Sequence, residues 1–312
     1  MNDRRGAGLP PMLSKETTDI LQRELPGVRH GEGLARYCAY AVGGPAELLY
    51  EATTTARLRR AVVVAHELGV PLTVLGLGTN ILVSERGVSG LVVLARNNEQ
   101  HLDHELLRVG AGASTVAVIA GLAGRGLAGL EFAGNIPGSF GGAVVGNAGA
   151  YGRSIADVLA ECTLMENGRE SRATPAELGF DYRTSVLKRG SRAVVLQATF
   201  ALQRGVSSDL LQEIARDAEL RRSKHPLEWA SCGSYFKNPS RDVPAARLIE
   251  ETGLKGFTVG RAQVSEKHAN FLVALPGATA DDIRALGEAI KSRVFEHCGV
   301  RLVEEVTLLG FD

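Results

Sequence analysis

The chain has 312 residues, of which 45% are hydrophobic and 22% charged, a balance typical of a globular protein with two or three domains. Lysine plus arginine and aspartate plus glutamate each number 35, so the net charge gives no reason to expect a nucleic acid or an anionic membrane as partner. A small molecule is the favoured partner.

The hydropathy pattern and the spacing of the cysteines further limit the class of protein. The amino terminus carries charge but no apolar core of a secretory signal, and the longest uncharged run, residues 109–124, is shorter than the ~20 residues of a membrane span. The cysteines are widely spaced and form no CxxC pair, which argues against a zinc site: Cys38, Cys162, Cys232 and Cys298. We therefore expect a cytoplasmic protein with reduced thiols and no bound metal.

The first hundred residues predict a compact α/β unit behind a loose tail that covers residues 1–20. Helical apolar spacing predicts a helix over residues 53–68, with threonines at its start that can cap it and Gly69 at its end. Short apolar runs then predict strands at residues 70–75, 81–83 and 91–94. The turn between the first two of these strands is glycine-rich.

The middle of the chain combines strands with short helices. Ser114 is placed to cap a helix that runs to about residue 123, and strands are predicted at residues 158–165 and 193–202. Asn167-Gly168 is a hairpin signal, and Thr174-Pro175 is typical of a helix start.

The composition changes near residue 204, where we place a domain boundary. A charged amphipathic helix over residues 207–223 ends before Pro226. The pattern beyond it predicts a helix at 245–252 stopped by Gly253, a strand at 269–275, a helix between Thr279 and Gly299, and a last strand at 301–309.

Three glycine-rich turns are the main functional signal. The longest, residues 129–152, reads GLEFAGNIPGSFGGAVVGNAGAYG, and the shorter ones are Gly76-Leu77-Gly78-Thr79-Asn80 and Gly110-Ala111-Gly112. The Gly76 turn alone is equally explained by a tight turn between strands, and it lacks the third glycine and the helix of a dinucleotide fingerprint. For the longest run a binding role is favoured over a surface loop, because ordering so many residues would cost too much chain entropy if nothing held them. Together they offer many backbone N–H donors for a diphosphate and a flavin ring.

The chain resembles the UDP-N-acetylenolpyruvoylglucosamine reductase (UDP-N-acetylmuramate dehydrogenase) family of bacterial flavoenzymes. The stretches that carry the resemblance lie between about Val42 and Gly310: AVGGPAELLYEATT, VPLTVLGLGTNILVSERGVSGLVV, GLEFAGNIPGSFGGAVVGNAGAYG, DYRTSVLK, SCGSYFKNP, AARLIEETGLKGFTVGRAQVSEKHANFLV and RLVEEVTLLG. The resemblance implies an α+β fold with an FAD-binding module of the vanillyl-alcohol-oxidase (PCMH) type in two subdomains, residues 21–95 and 96–203. A smaller α/β substrate domain would follow at residues 204–312.

The resemblance also implies the cofactors, the substrate and the cofactor-binding residues. FAD would be reduced by NADPH and would in turn reduce UDP-N-acetylglucosamine enolpyruvate to UDP-N-acetylmuramate, in peptidoglycan precursor synthesis. The residues implied to hold FAD lie in the three glycine-rich turns: Gly76, Gly78, Thr79, Asn80, Gly112, Ile136, Pro137, Gly138, Gly141, Gly142, Asn147, Gly149 and Ala150.

Three catalytic residues are implied by the family motifs. Arg183 would hold the carboxylate beside the carbanion, because a guanidinium gives bidentate, charge-assisted hydrogen bonds. Ser234 would donate a proton to C2, and Glu305 would stabilise the intermediate. On the residues alone, a solvated arginine and a turn serine remain open readings, and strand alternation, which puts Glu305 on the face of Val303 and Thr307, does not choose between Glu304 and Glu305.

The remaining assignments concern the substrate and the features that depart from the pattern. The resemblance implies substrate contacts at Tyr182, Lys224, Asn238 and His268. Cys232 is interpreted as structural, and His101 and His104 as part of an exposed loop. The chain resembles the shorter branch of the family, which lacks an inserted tyrosine-bearing segment that another branch folds over its substrate. Two alternatives remain: another flavin oxidoreductase that acts on a hydroxy acid or alcohol, and a binding module without catalysis.

Overall fold

The structure, a computed structural model, describes residues 13–240 and 242–311. Residues 1–12 of the predicted loose tail lie outside the described part of the chain. Lys15–Glu24 forms a helix, α1, that begins inside the stretch predicted to be loose and extends beyond it. The Ser14 hydroxyl accepts from Thr17 N–H at its start, and Leu21 and Leu25 are fully buried in the core, so capping and burial together order this segment.

The N-terminal part is an α/β unit with a four-stranded sheet in the order β1-β2-β5-β3. Strands β2 and β3 both run parallel to β5. The predicted helix and strands are confirmed in position, although β5 begins three residues before the predicted Leu91. The elements after α1 are β1 (Arg29–Gly33), β2 (Pro45–Ala52), α2 (Thr55–Glu67), β3 (Leu72–Leu75), β4 (Ile81–Val83) and β5 (Val88–Ala95).

The middle part is built on a five-stranded antiparallel sheet in the order β12-β11-β13-β7-β6. Asn167 and Gly168 both have positive φ, 50° and 73°, as the predicted hairpin requires. Its elements are β6 (Gln100–Asp103), β7 (Leu106–Gly110), α3 (Thr115–Gly124), β8 (Leu127–Ala128), α4 (Phe140–Val145), β9 (Gly149–Ala150), β10 (Arg153–Ser154), β11 (Leu159–Glu166), β12 (Arg169–Ala173), α5 (Pro175–Leu178), β13 (Val194–Ala201) and β14 (Gln203–Arg204).

The C-terminal part contains two long helices and a three-stranded antiparallel sheet in the order β15-β16-β17. Its elements are α6 (Ser207–Lys224), α7 (Ala245–Glu251), β15 (Thr258–Val259), β16 (Ala262–Val264), β17 (Leu272–Ala274), α8 (Ala280–Cys298) and β18 (Thr307–Leu309). Helix α8 is capped by Thr279 and ends at Gly299, which has a φ of 68°, as predicted.

Two predicted strands are shorter in the structure. The strand predicted over residues 301–309 is wrong in extent, because β18 covers only its last three residues, which pair in parallel with the equally short β4. Val303 and Thr307, which strand alternation groups with Glu305, are both exposed. The strand predicted at residues 269–275 is reduced to β17, because Asn270 bonds to the Tyr235 segment instead.

Three clusters of buried side chains form the core. One joins the two N-terminal sheets and their helices, a small one lies on the other face of the first sheet, and the third fills the C-terminal part. The third cluster also contains Cys38, Tyr40, Val42 and Leu82 from the N-terminal part. These residues and the β4–β18 pair attach the glycine turn that precedes β4 to the C-terminal part. Among the described residues, no helix has the length and apolar character needed to cross a bilayer.

Candidate active site

The three glycine-rich turns meet at one place in the fold. A Cβ on Gly76 would overlap the Ser139 hydroxyl, and one on Gly138 would lie 3.4 Å from Thr79 Oγ1. Gly141 N–H donates to Ala111 O at 2.8 Å, which attaches the second turn to the longest one. The chain therefore forms a surface of backbone with few side chains, which fits the close approach of a diphosphate or a flat ring.

The Gly76–Asn80 turn is constrained at its centre and connected at its end. Gly78 has a φ of 67°, and a Cβ there would overlap the Tyr37 carbonyl oxygen. Thr79 and Asn80 follow, and Asn80 Nδ2 donates to the backbone carbonyl of Glu305 at 3.2 Å. Asn80, predicted to bind the cofactor, also connects this turn to the segment with the predicted catalytic carboxylate.

The residues of the longest run are held by side chains of neighbouring segments. Thr115 Oγ1 donates to Ile136 O at 2.7 Å and to Gly138 O at 3.1 Å, on either side of the exposed Pro137. Ser139 caps α4 by accepting from Gly142 N–H, and Gly112 N–H donates to Asn97 Oδ1 at 3.0 Å. These hydrogen bonds therefore fix the backbone at the positions predicted to bind the flavin.

Asn147 connects the glycine-rich run to the turn that carries Arg183. It is buried with a φ of 44°, its Nδ2 donates to Asp181 O at 3.1 Å, and its Oδ1 accepts from Ala156 N–H at 3.1 Å. Gly149 and Ala150 form the short strand that follows, where a Cβ on Gly149 would overlap the Arg153 carbonyl oxygen. The Asn147 amide therefore has a structural role at a position predicted to bind the cofactor.

Arg183 lies in a tight turn with a left-handed backbone. Asp181 and Thr184 exchange two backbone hydrogen bonds of 3.1 and 3.2 Å, and Arg183 between them has a φ of 54°. Such a conformation is uncommon for a residue with a Cβ and costs about 1–2 kcal/mol. Its guanidinium carbon is 5.7 Å from the ring centre of Tyr182, which is half exposed. A predicted catalytic residue therefore has a strained backbone.

Arg183 and Glu305 form an ion pair, with Nε 3.1 Å from Oε1. The buried Nε has no hydrogen-bond partner of suitable geometry within the described residues, so the contact is mainly coulombic. Glu304 instead contacts Lys291 Nζ at 2.7 Å. The structure thus separates the two neighbouring carboxylates, and only Glu305 faces the predicted site.

Two lysines that the sequence analysis missed lie near Glu305. Lys188 Nζ donates to the Glu305 backbone carbonyl at 2.9 Å, and Lys237 contributes a further positive charge. Burial raises the pKa of the Glu305 carboxyl above its usual value, although the charges of Arg183, Lys188 and Lys237 act in the opposite direction. Burial also lowers the pKa of Lys188. Lys188 occurs in the motif DYRTSVLK and Lys237 in SCGSYFKNP. Their place in these motifs is the sequence signal that could have identified them.

The Ser234 segment is fixed relative to Glu305 by backbone hydrogen bonds. Ser234 pairs with Phe271, and Glu305 N–H donates to Tyr235 O at 2.8 Å. The buried amide of Asn270 bonds both the N–H and the C=O of Phe236, at 2.9 and 2.8 Å. Asn270 was also missed, and its position in the motif KHANFLV was the signal. Ser234 and Glu305 therefore lie on directly bonded segments.

The four predicted substrate residues differ in their surroundings. Lys224 is exposed at the end of α6, and the His268 ring lies 5.3 Å from the ring of His225. Asn238 Oδ1 accepts from Ala245 N–H at 3.0 Å, which holds the start of α7. Burial, aided by the Arg221 charge, lowers the pKa of His225 to about 4, so this imidazole is neutral near pH 7.

The predicted exposed loop around His101 is a hairpin instead. His101 lies on β6, and His104 occupies the turn with a φ of 50°. In residues 13–240 and 242–311, no group of three or more histidine, cysteine, aspartate or glutamate side chains could hold a metal ion.

Comparison with known proteins defines first a class and then a family. An FAD binding domain model matches residues 46–170, the part that contains the converging glycine turns, so the chain is a flavoprotein of the predicted α+β class. A model of the C-terminal domain of UDP-N-acetylenolpyruvoylglucosamine reductase matches residues 225–309. The chain belongs to the UDP-N-acetylenolpyruvoylglucosamine reductase family.

Individual relatives agree with this placement over nearly the whole chain. The reductase of Rubrobacter xylanophilus is 45% identical over 93% of this chain and 98% of its own. A reductase of Symbiobacterium thermophilum is 42% identical, over 91% and 93%. The crystal structure of the enzyme from Thermus caldophilus has 35% identity and a TM-score of 0.76, over 90% of this chain and 98% of that one.

Proposed function

We propose that this protein reduces UDP-N-acetylglucosamine enolpyruvate to UDP-N-acetylmuramate in the cytoplasm, with NADPH as the hydride donor to FAD, in peptidoglycan precursor synthesis. The observation that carries the proposal is the Arg183–Glu305 pair, joined by backbone hydrogen bonds to the Ser234 segment in a chain of this family. When bound, FAD supplies the hydride that adds to C3 of the enolpyruvyl ether. The chain's own residues must bind the carboxylate, handle the charge at C2 and deliver a proton.

Positive charge at the site suits a carboxylate substrate. Arg183 pairs with the Glu305 carboxylate, Lys188 binds the backbone carbonyl of Glu305, and Lys237 adds a further positive charge. Its guanidinium binds the enolpyruvyl carboxylate and offsets the charge that develops beside it, since fixed donors stabilise developing charge without reorganisation. The left-handed backbone of Arg183 aims this side chain, and the ion pair with Glu305 limits its freedom.

Ser234 donates the proton from Oγ to C2. A serine hydroxyl is a weak acid, but the acceptor is a strongly basic enolate, so accurate placement of the hydroxyl is what the protein must supply. Pairing of Ser234 with Phe271 and the Asn270 amide on Phe236 provide that placement. Glu305, held by its own N–H on Tyr235 O, stabilises the intermediate from the adjacent segment.

The binding roles follow the regions of the fold. The residues named for FAD, from Gly76 to Ala150, would hold the cofactor at the three glycine turns. The UDP-sugar contacts Tyr182 beside Arg183, and Lys224, Asn238 and His268 in the C-terminal part. These roles agree with a domain division at about residues 95 and 203.

Substitution of the proton donor tests this proposal. In Ser234→Ala, NADPH is expected to bleach the flavin absorbance without oxygen at the normal rate, while reoxidation by the enolpyruvyl UDP-sugar slows by about 10²–10⁴-fold. Stopped-flow absorbance separates the two half-reactions. Ser171→Ala, on the exposed strand β12, is the control and is expected to behave as the parent.

Two results would count against it. Normal reoxidation in Ser234→Ala would remove Ser234 from the proton-donor role. Flavin reduction by a hydroxy acid or alcohol in the parent protein, with no response to the enolpyruvyl substrate, would replace the proposed reaction by that of a different flavin oxidoreductase.

A further inference from the structure

Two buried thiols from distant parts of the chain share one hydrogen-bond acceptor. Cys38 Sγ donates to Ile81 O at 3.2 Å, and Cys232 Sγ donates to the same oxygen at 3.1 Å. Cys38 follows the 3-10 turn Leu34–Tyr37 of the N-terminal part, whereas Cys232 lies in the motif SCGSYFKNP, which contains Ser234. The two sulfur atoms therefore lie side by side where the N-terminal and C-terminal parts meet.

The pair has the features of a site for oxidation. The two cysteines are 7% and 8% exposed, so each keeps a small accessible surface. The adjacent Cys232 thiol lowers the pKa of Cys38, while burial raises the pKa of Cys232 well above its usual value. Cys38 is thus the thiol that ionises first, and the thiolate is the form that reacts with an oxidant.

A buried hydroxyl adds a second observation at the same place. Tyr40 is 1% exposed, and within the described part of the chain its hydroxyl has no hydrogen-bond partner. Its phenol pKa is raised first by burial and next by the neighbouring Cys232. An oxygen atom added to one of the sulfurs would give this hydroxyl an acceptor, which is what an unpartnered buried donor requires.

We propose that Cys38 and Cys232 are a peroxide-reactive pair that closes to a disulfide between the two parts of the chain. Hydrogen peroxide transfers one oxygen to the Cys38 thiolate, and with one proton this yields sulfenic acid and water. The Cys232 sulfur then attacks the sulfenic sulfur, forming the S–S bond and releasing the second water. Two thiols and one peroxide become one disulfide and two waters.

Disulfide closure has a consequence for the Ser234 segment. Both thiol donors to Ile81 O are lost, and the sulfurs move to a covalent separation of about 2 Å. Cys232 is two residues before Ser234, and Ile81 directly follows Asn80, whose amide holds the Glu305 carbonyl. Closure therefore displaces Ser234 relative to Glu305 and slows turnover. This consequence, unlike the disulfide itself, rests on the proposed function.

The disulfide is tested on the intact holoprotein without reference to activity. After treatment of the folded protein with hydrogen peroxide, unfolding in denaturant and alkylation, two of the four cysteines are expected to resist labelling, and a non-reducing peptide map shows Cys38 joined to Cys232. Dithiothreitol restores both thiols. In Cys232→Ser, a sulfenic acid trapped by dimedone is expected on Cys38. Cys162→Ser is the control and is expected to retain the cross-link, since Cys162 lies in a different core cluster.

The same measurements can also contradict the proposed disulfide and its effect on turnover. The proposed disulfide would be refuted if all four cysteines were labelled at a peroxide dose that oxidises a free thiol peptide. A cross-link that involves Cys162 or Cys298 would refute it as well. In a turnover assay, the oxidised parent is expected to lose on the order of 10²-fold in kcat and to regain it with dithiothreitol, whereas Cys38→Ser resists the loss. A complete disulfide with unchanged kcat would refute its coupling to Ser234.

Discussion

At the scale of single residues, the balance between burial and charge decides how the site behaves. Glu305 faces three cations, yet its pKa is raised because the loss of hydration outweighs their attraction. His225 shows the complementary case, in which burial and a nearby arginine keep the imidazole neutral. The ionised form of each residue is destabilised in the folded state, so both link stability to pH.

Glu305→Gln is expected to raise the melting temperature at pH 7 while it reduces turnover. The folded-state pKa lies above the ordinary value of 4.5, so the favourable contribution of the protonated acid is present below that value and is lost as the pH rises through the folded-state pKa. Thermal scans from pH 4 to pH 8 should show that the melting temperatures of Glu305→Gln and the parent protein converge at the acidic end.

The neighbouring Glu304 provides a matched control. Glu304→Gln removes an ion pair with Lys291 that is partly exposed, and a loss of about 0–1 kcal/mol is expected. A lower melting temperature for Glu305→Gln than for the parent at pH 7 would contradict the burial argument.

The His225 imidazole is expected to make the fold less stable in weak acid. Its pKa falls from 6.5 to about 4 on folding, so the stability present above pH 6.5 is lost as the pH falls towards 4. For one proton the slope is up to about 1.4 kcal/mol per pH unit. His225→Asn should flatten this dependence in urea titrations, and His101→Gln on the exposed strand β6 should leave it unchanged. If the stability of His225→Asn depended on pH as steeply as that of the parent protein, His225 would not be the source of this dependence.

At the scale of elements, the glycine turns depend on close contact between backbones. Gly78 and Gly69 have similar φ values, 67° and 63°, but different surroundings. A Cβ on Gly78 would overlap Tyr37 O, whereas one on Gly69 would meet no atom of the described residues within 4 Å. The two positions therefore separate the cost of the backbone conformation from the cost of a steric clash.

Alanine at these two positions should have clearly different effects. Gly69→Ala is expected to cost about 1 kcal/mol, the penalty of the left-handed conformation alone. Gly78→Ala should cost about 3 kcal/mol or more and should lower the flavin content of the purified protein. Urea unfolding and the ratio of flavin to protein absorbance measure the two effects. Equal losses would show that the contact with Tyr37 is unimportant.

At the scale of the whole molecule, the parts of the chain are interlocked. Cys38, Tyr40, Val42 and Leu82 contribute to the C-terminal core, and β18 pairs with β4. Asn80 and Glu305 N–H add hydrogen bonds between the segments that meet at the site. Loss of structure in either part therefore removes core contacts from the other.

Unfolding of the protein is consequently expected to be one cooperative transition that FAD shifts as a whole. At a free FAD concentration of 100 times its Kd, the gain in stability is about 2.7 kcal/mol. Calorimetry of the flavin-free and reconstituted protein measures it, with FMN, which lacks the AMP half, as the control ligand. Two transitions, of which FAD shifts only one, would show that the parts unfold independently.

Features that depend on neighbours along the chain could be predicted from the amino-acid sequence. The caps Ser114, Thr174 and Thr279 and the Asn167-Gly168 hairpin were predictable because their hydrogen bonds and φ requirements are local. The motifs likewise identified the family and the flavin cofactor, because both are carried by short stretches of residues.

Which distant groups meet became evident only from the folded chain. The fold separates Glu305 from Glu304, shortens the last strand, and places Lys188, Asn270 and the Cys38–Cys232 pair at the site or beside it. Each of these results depends on contacts between segments far apart in sequence. Local patterns do not encode such contacts, because burial and charge at one residue are set by whichever segments the complete fold packs around it.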